Sequence, residues 1–167
     1  EGKGRAAAIE IMLNSPLIDL VLWVISGWLV IGLLGIFALH KFTFVARVLF
    51  PIGGVGGLML ALVALRSLSN GVDETRILPI GLPQLLFHLR LDALSSFFLL
   101  VLGVAIFGIS VFSAGYFRNS AGTAPGLLCL EFHFFLASMA LVLISADAYV
   151  FMVAWETMAI TSYFLVT

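Results

Sequence analysis

The stretch AYVFMVAWETMAITSYFLVT, residues 148–167, decides the fold. Its twenty residues carry one charge, Glu156. A helix that crosses a bilayer needs about 20 mostly apolar residues, and this stretch has that length. A carboxylate at bilayer depth is costly, roughly 2.5–3.5 kcal/mol on insertion scales for a comparable Asp, and it rarely faces lipid. Glu156 lies eight residues after Ala148. At about 1.5 Å per residue that is too deep for a short side chain to reach water. Two readings follow. Glu156 is a structural carboxyl hydrogen-bonded to another helix, or it is a functional intramembrane acid. In either case it is expected inside the bundle, turned away from lipid.

The rest of the chain has the same character. Of 167 residues, 62% are hydrophobic and 10% charged, and the mean hydropathy is +1.20. Water-soluble domains run nearer 45–50% apolar and about 25% charged. The sequence therefore reads as an all-α, polytopic membrane helix bundle in contact with the lipid bilayer. The net charge of −1, with no basic stripe, argues against nucleic acid as a partner. Cys129 is the single cysteine, so no disulfide forms within the chain and no thiolate metal site is expected.

Five runs are long enough to span, at roughly 16–39, 44–65, 93–117, 126–144 and 148–167. The second contains Pro51 and the glycine cluster GGVGG, residues 53–57. Small residues let helices approach closely in a membrane, so the cluster is read as a packing face. Residues 66–92 form the longest polar stretch and read as an extramembrane loop with room for a hairpin. Asn70-Gly71 and the segment from Pro79 to Pro83 supply turn signals, and LLFHLRL (85–91) has strand character. Asp92 with Ser95, and Asp147, are placed to cap the third and fifth helices. Three regions result: 1–65 with helices one and two, 66–92 as the loop, and 93–167 with helices three to five.

Besides Glu156, three polar groups lie in or near the spans. Asp19 is within a turn of the first helix start and is expected at the interface. Glu131 is a few residues into the fourth span and either snorkels back or reaches inward. His133 is about 200° around the helix from Glu131, so the two do not share a face. It is read either as a packing hydrogen bond to another helix or as a proton carrier. Tyr149 and Tyr163 lie seven residues either side of Glu156 and share its face, with Thr157 and Thr161 on neighbouring faces. No metal ligand set is evident, and no cofactor is expected.

HLRLDALSSFFLLVLGVAIFGISVFSAGY, followed by LASMALVLISADAYVFMVAWETMAITSYFLV, resembles the antiporter-like proton-translocating subunits. These are the large membrane-arm subunits of respiratory complex I, of Mrp antiporters and of group 4 hydrogenases and formate hydrogenlyase. LDALSSFF and AWETMAITSYFLV are most similar to the antiporter-like membrane subunit of the hydrogenase 4 and formate hydrogenlyase type. Complex I subunits tend to carry Gly where this chain has Ala154. The resemblance covers roughly residues 44–167 and centres on Trp155-Glu156 and Ser162-Tyr163. It implies that Glu156 belongs to a buried charged axis and pairs with a lysine on a later helix; Glu131 and His133, read from their own positions in the fourth span, are the further relay candidates. It implies a non-redox subunit of a membrane-bound oxidoreductase complex, multi-pass in a bacterial or archaeal cell membrane. Its partners would be other membrane and peripheral subunits, and it would move protons or sodium ions. The alternative is a truncated structural or assembly subunit that conducts nothing. The later lysine helices of the family are not in these 167 residues, and no initiator Met opens them. A fragment, a truncated product or one piece of a split subunit is therefore expected.

The resemblance also implies that the N-terminus and the 66–92 loop face outward. Raw Lys and Arg counts lean mildly the other way, but long loops are weak topology determinants. Single cysteines at Asn70→Cys and Asn119→Cys in a Cys129→Ser background test this. A membrane-impermeant thiol reagent added to intact cells should label the first and spare the second. The reverse pattern refutes the orientation.

Overall fold

Three of the five helices begin at the same end of the molecule, and each of these three has a carboxylate holding one of its first amides. The computed structural model describes residues 16–39, 44–82, 85–116 and 124–166, with side chains up to 112 in the third helix. The helices are α1 (Leu17–Phe37), α2 (Phe50–Asn70), α3 (Ala93–Tyr116), α4 (Pro125–Ile144) and α5 (Ala148–Val166). Between α2 and α3 stands an antiparallel hairpin of β1 (Glu74–Leu82) and β2 (Leu85–Leu91). Five helices among the described residues are long and apolar enough to cross a membrane. The protein is an all-α polytopic bundle carrying one small hairpin, as its composition predicts.

Helix contacts do not follow chain order. The main packing runs α5 on α4, α4 on α1, and α2 on α3, with α1 and α2 in lesser contact between the two pairs. The shared core contains Trp28, Leu60, Ile106, Leu136 and Ile144, all essentially inaccessible. The glycine cluster lies on the α2 face of this core, and its members look in different directions. A Cβ on Gly53 would strike the His133 ring on α4. One on Gly54 would meet Ser110 on α3 at 2.7 Å, and one on Gly57 would meet Ile106 at 2.7 Å. A Cβ on Gly56 would meet Trp28 Nε1 on α1 at 2.7 Å, so the packing reading of GGVGG holds, against four partners in three helices.

Two boundaries differ from the sequence reading. The second helix continues past residue 65 to Asn70. Arg66-Ser67-Leu68-Ser69 keeps one inward position, and Ser67 fills it. Ser96 Oγ on α3 donates to Ser67 Oγ at 2.7 Å, buried. Gly71 then stops the helix with a left-handed φ of 61°, its N–H reaching Leu68 O and that of Val72 reaching Ser67 O. Glycine takes that conformation without a Cβ penalty. At the other end, a π-helical turn, Val45–Leu49, precedes Pro51. Proline has no N–H to give the carbonyl four residues back, and the wider turn lies where that bond would be lost.

The hairpin is a clamp. Pro79 does not turn the chain as expected but sits inside β1, where the register slips between Leu78 and Gly81. A bulge is where a strand tolerates a residue without a donor. The remaining turn residues 83–84 lie outside the described residues, as do the Lys41 and Arg118 links and the first fifteen residues. Glu74 Oε2 accepts from Ile18 N at 2.8 Å, capping α1 from another element. Asp92 Oδ1 accepts from Ser95 N at 2.8 Å at the start of α3. Asp147 Oδ1 accepts from Val150 N at 2.8 Å at the start of α5, and its Oδ2 accepts from His88 N at 3.1 Å. Ala146 N also donates to His88 O at 2.9 Å. Arg90 binds Asp73 through two nitrogens at 2.9 and 2.7 Å, across the base of the hairpin.

These bonds hold the Asp92 and Asp147 carboxyls below their ordinary range, chiefly through the Ser95 and Val150 backbone N–H groups respectively. A depressed folded value means stabilisation that is present above the ordinary carboxylate range and lost as pH falls through the folded value. Thermal unfolding in detergent should therefore drop below about pH 4. Asp147→Ala should cost about 1 kcal/mol at neutral pH, as a lost helix cap does, and should flatten the acid slope.

Candidate functional site

Glu156 does not sit where the sequence reading puts it. In α5 only Val150 and Ala154 are buried, a seam of two residues one turn apart. Glu156 follows Ala154 by two positions, about 200° around the helix, and is exposed. It has no hydrogen bond or ion pair with any described residue. The expectation of an inward, hydrogen-bonded glutamate is corrected by a simple cause. The small residues that let α5 approach α4 lie on the opposite face. Around Glu156 the surface is apolar: Met152 is 61% exposed, Ile160 54% and Tyr163 63%.

The hydroxyl stripe is partly spent. Thr157 Oγ1 donates to Val153 O at 2.8 Å, and Thr161 Oγ1 donates to Thr157 O at 2.8 Å. Both hydroxyls bond back onto their own helix, the usual refuge of Thr in an apolar setting. Tyr149 packs edge-on against Phe87 of β2, with ring centroids 5.7 Å apart. It anchors the hairpin side of α5. Tyr163 packs edge-on against Phe164.

His133 is the polar centre of the interior. It is fully buried among α1, α2 and α4. Its Nδ1 lies 2.8 Å from Cys129 O on its own helix. A carbonyl only accepts, so Nδ1 carries a proton at this contact, which leaves Nε2 as the acceptor whenever the ring is neutral. Nε2 is buried without a partner among the described residues and faces Gly53. The expected bond to another helix is thus replaced by one within α4. Gly53 is engaged twice: its carbonyl accepts from Trp28 Nε1 at 3.0 Å, while its missing side chain leaves room for the imidazole. Ser110 Oγ is the other buried polar atom without a partner among the described residues.

Glu131, two residues before His133, is half-buried on a different face, as the 200° offset requires. No hydrogen bond or ion pair joins Glu131, His133 and Glu156 among the described residues. Asp19 lies at the hairpin end, 3.2 Å from Arg76 Nε, in keeping with an interfacial role. No group of three His, Cys, Asp or Glu among the described residues is placed to hold a metal ion. The Trp28–Gly53–His133 node was not legible as a unit in the sequence. Its one local sign was the i, i+4 spacing of Cys129 and His133. The link to Trp28 and Gly53 depends on which helices become neighbours.

The fold defines a multi-pass helical membrane protein in which Glu156 lies on the exposed face of α5 and His133 is buried at the centre of the described bundle. The chain is similar to hydrogenase-4 component B of Escherichia coli (strain K12), with 35% identity over 78 residues. That match covers 47% of this chain and 12% of the length of the relative. No family model matches the chain.

The Gly53–His133 contact has a measurable consequence. Gly53→Ala drives a methyl into the ring and should cost about 1–3 kcal/mol, the range for overpacked cores. His133→Ala removes the obstruction, so the double variant should be markedly more stable than the sum of the two single changes. Thermal unfolding of the four proteins in one detergent reads the coupling, and strict additivity contradicts the contact.

Proposed function

We propose that this chain is part of a membrane-arm subunit of a hydrogenase-type, ion-translocating redox complex, and that Glu156 is its proton-carrying group. The observation that carries the reading is the 35% identity over 78 residues with a protein named as a hydrogenase component. The five candidate spans support a membrane role. So does the placing of Glu156 on a bare apolar face. A lone carboxylate is disfavoured against lipid and pairs with other groups when it lies at membrane depth. A face of this kind suits coverage by another helix that brings a cation. The antiporter-like resemblance implies a lysine there.

The chemistry then needs only distance. A cation beside Glu156 favours the carboxylate, and its withdrawal in a low-dielectric setting favours the neutral acid, which takes a proton. Alternating the two moves one proton per cycle between Glu156 and its neighbours. His133, with a free acceptor nitrogen in the core, and Glu131, nearer the opposite surface, are secondary relay candidates. The coupling ion is a proton in this reading, with sodium as the variant. The setting is a bacterial or archaeal cell membrane, among other membrane and peripheral subunits. The regions 1–65, 66–92 and 93–167 act as an N-terminal pair of helices, an outer-face connector and the start of the translocating core.

One observation favours a second reading. No described cation lies beside Glu156, so these five helices by themselves fit a structural or assembly role without conduction. Glu156→Gln separates the two. The amide is nearly isosteric with the neutral acid, so assembly on native gels should be unchanged. Proton uptake in vesicles should fall markedly, while redox turnover falls less. Undiminished pumping by a fully assembled variant leaves Glu156 as a packing residue and favours the structural role.

A further inference from the structure

We propose that the cavity between the start of α1 and strand β1 binds the headgroup of an aminophospholipid, a phosphodiester next to a primary ammonium. The cavity measures about 330 Å³ and is lined by Asp19, Leu22, Trp23, Ser26, Arg76 and Leu78. That volume lies at the small end of ligand pockets, about 300–1,000 Å³. Its α1 residues fall at i, i+3, i+4 and i+7, one stripe of the helix. The stripe is graded along the helix axis. Asp19 is in the first turn. Trp23 follows about 6 Å deeper and Ser26 about 10 Å deeper at 1.5 Å per residue.

The charges are opposite and incompletely used. Arg76 Nε stands 3.2 Å from Asp19 Oδ1, and Arg76 is half exposed. Its two terminal nitrogens carry four more N–H donors, and none makes a hydrogen bond to a described residue. A planar guanidinium suits a phosphate with two oxygens. A primary ammonium has three N–H donors for the remaining oxygen of Asp19, whereas a choline group has none. An anionic glycerol headgroup would set no cation against Asp19. Trp23 is 76% exposed, far more than a large indole in a packed interior. Trp favours the membrane interface, where its ring meets apolar chains and its N–H meets polar groups. Leu22 and Leu78 form the wall along which an acyl chain leaves the pocket. The site is anchored at the right height, because Glu74 of β1 caps Ile18 of α1 at 2.8 Å.

The test uses the full chain, purified with the subunits it carries, delipidated and placed in choline-lipid nanodiscs. Brominated ethanolamine, glycerol or choline lipid is added at equal low mole fraction, and quenching of Trp fluorescence is read. Subtracting the same series for Trp23→Phe isolates Trp23. Ethanolamine lipid should be enriched about tenfold over choline lipid at Trp23, the scale of two charge-assisted hydrogen bonds offset by desolvation. Arg76→Gln should reduce quenching to the choline level. Asp19→Asn should erase the preference for ethanolamine over glycerol lipid. Ser26→Leu fills the pocket wall without touching either charge or the capping bonds, so it tests the site even where a charge variant misfolds. It should also abolish the enrichment. Equal quenching by all three lipids in the unaltered protein overturns the proposal. So does loss of the selective quench on adding millimolar inorganic phosphate, which would mark a site for a soluble ion.

Discussion

Helices surrounded by lipid gain no hydrophobic advantage from touching one another, so their association rests on close van der Waals approach and a few polar bonds. Everything else in this bundle depends on that approach. Gly103 of α3 faces Gly57 of α2, where an added Cβ would lie 2.6 Å from a backbone oxygen. Gly35 of α1 faces Gly126 of α4, where the corresponding gap is 2.7 Å. These two glycine contacts bring the backbones of α2 and α3, and of α1 and α4, together. Trp28 and His133 then fill the space between the pairs, held by Gly53. The interior is therefore made by residues with no side chain and by two large rings that those residues admit.

The hairpin solves a different problem at the membrane edge. The first turns of a helix leave amides without partners, and three helices here begin at one end. Glu74, Asp92 and Asp147 each take one such amide. Two of them also belong to the hairpin or its flank, so capping and docking are the same act. Acidic groups at helix N-termini further match the positive end of the helix dipole. Arg76 and Arg90 offset the resulting negative charge by pairing with Asp19 and Asp73. A connector of modest length thus fixes the relative heights of α1, α3 and α5.

The spans were legible because apolar runs of this length have one physical solution in a bilayer, and the caps because Asp before a run has a local mechanism. Helix parity places the N-terminal end of α1, the 66–92 segment and the Ser145–Asp147 turn on one side, and β2 does contact that turn. The extension of α2 to Asn70 was hidden because Arg66, Ser67 and Ser69 look like loop, and only the Ser67–Ser96 bond reveals the inward position. The strand role of Pro79 was hidden because proline signals a turn more often than a bulge. For the candidate site, residue identities were readable but directions were not. Which way Glu156 points depends on the choice of Val150 and Ala154 as the α4 contact, and no periodic pattern marks that choice in a helix that is apolar on every side.

The direction of Glu156 bears on how an intramembrane acid is recognised. A glutamate within a hydrophobic run is costly against lipid, but the run does not say which way the side chain points in its own bundle. Here the buried ionisable ring is His133, whose Nδ1 bonds within its own helix, while the carboxylate Glu156 lies on the surface with no hydrogen bond or ion pair to a described residue. Burial in the protein and depth in the membrane are separate quantities, and only the second is readable from the run length. A carboxylate deep in the membrane yet outside the core is most costly when its face meets lipid. The same face is the one on which a further helix would relieve that cost. The thin seam of α5, two small buried residues against α4, leaves most of the helix surface open to such a contact.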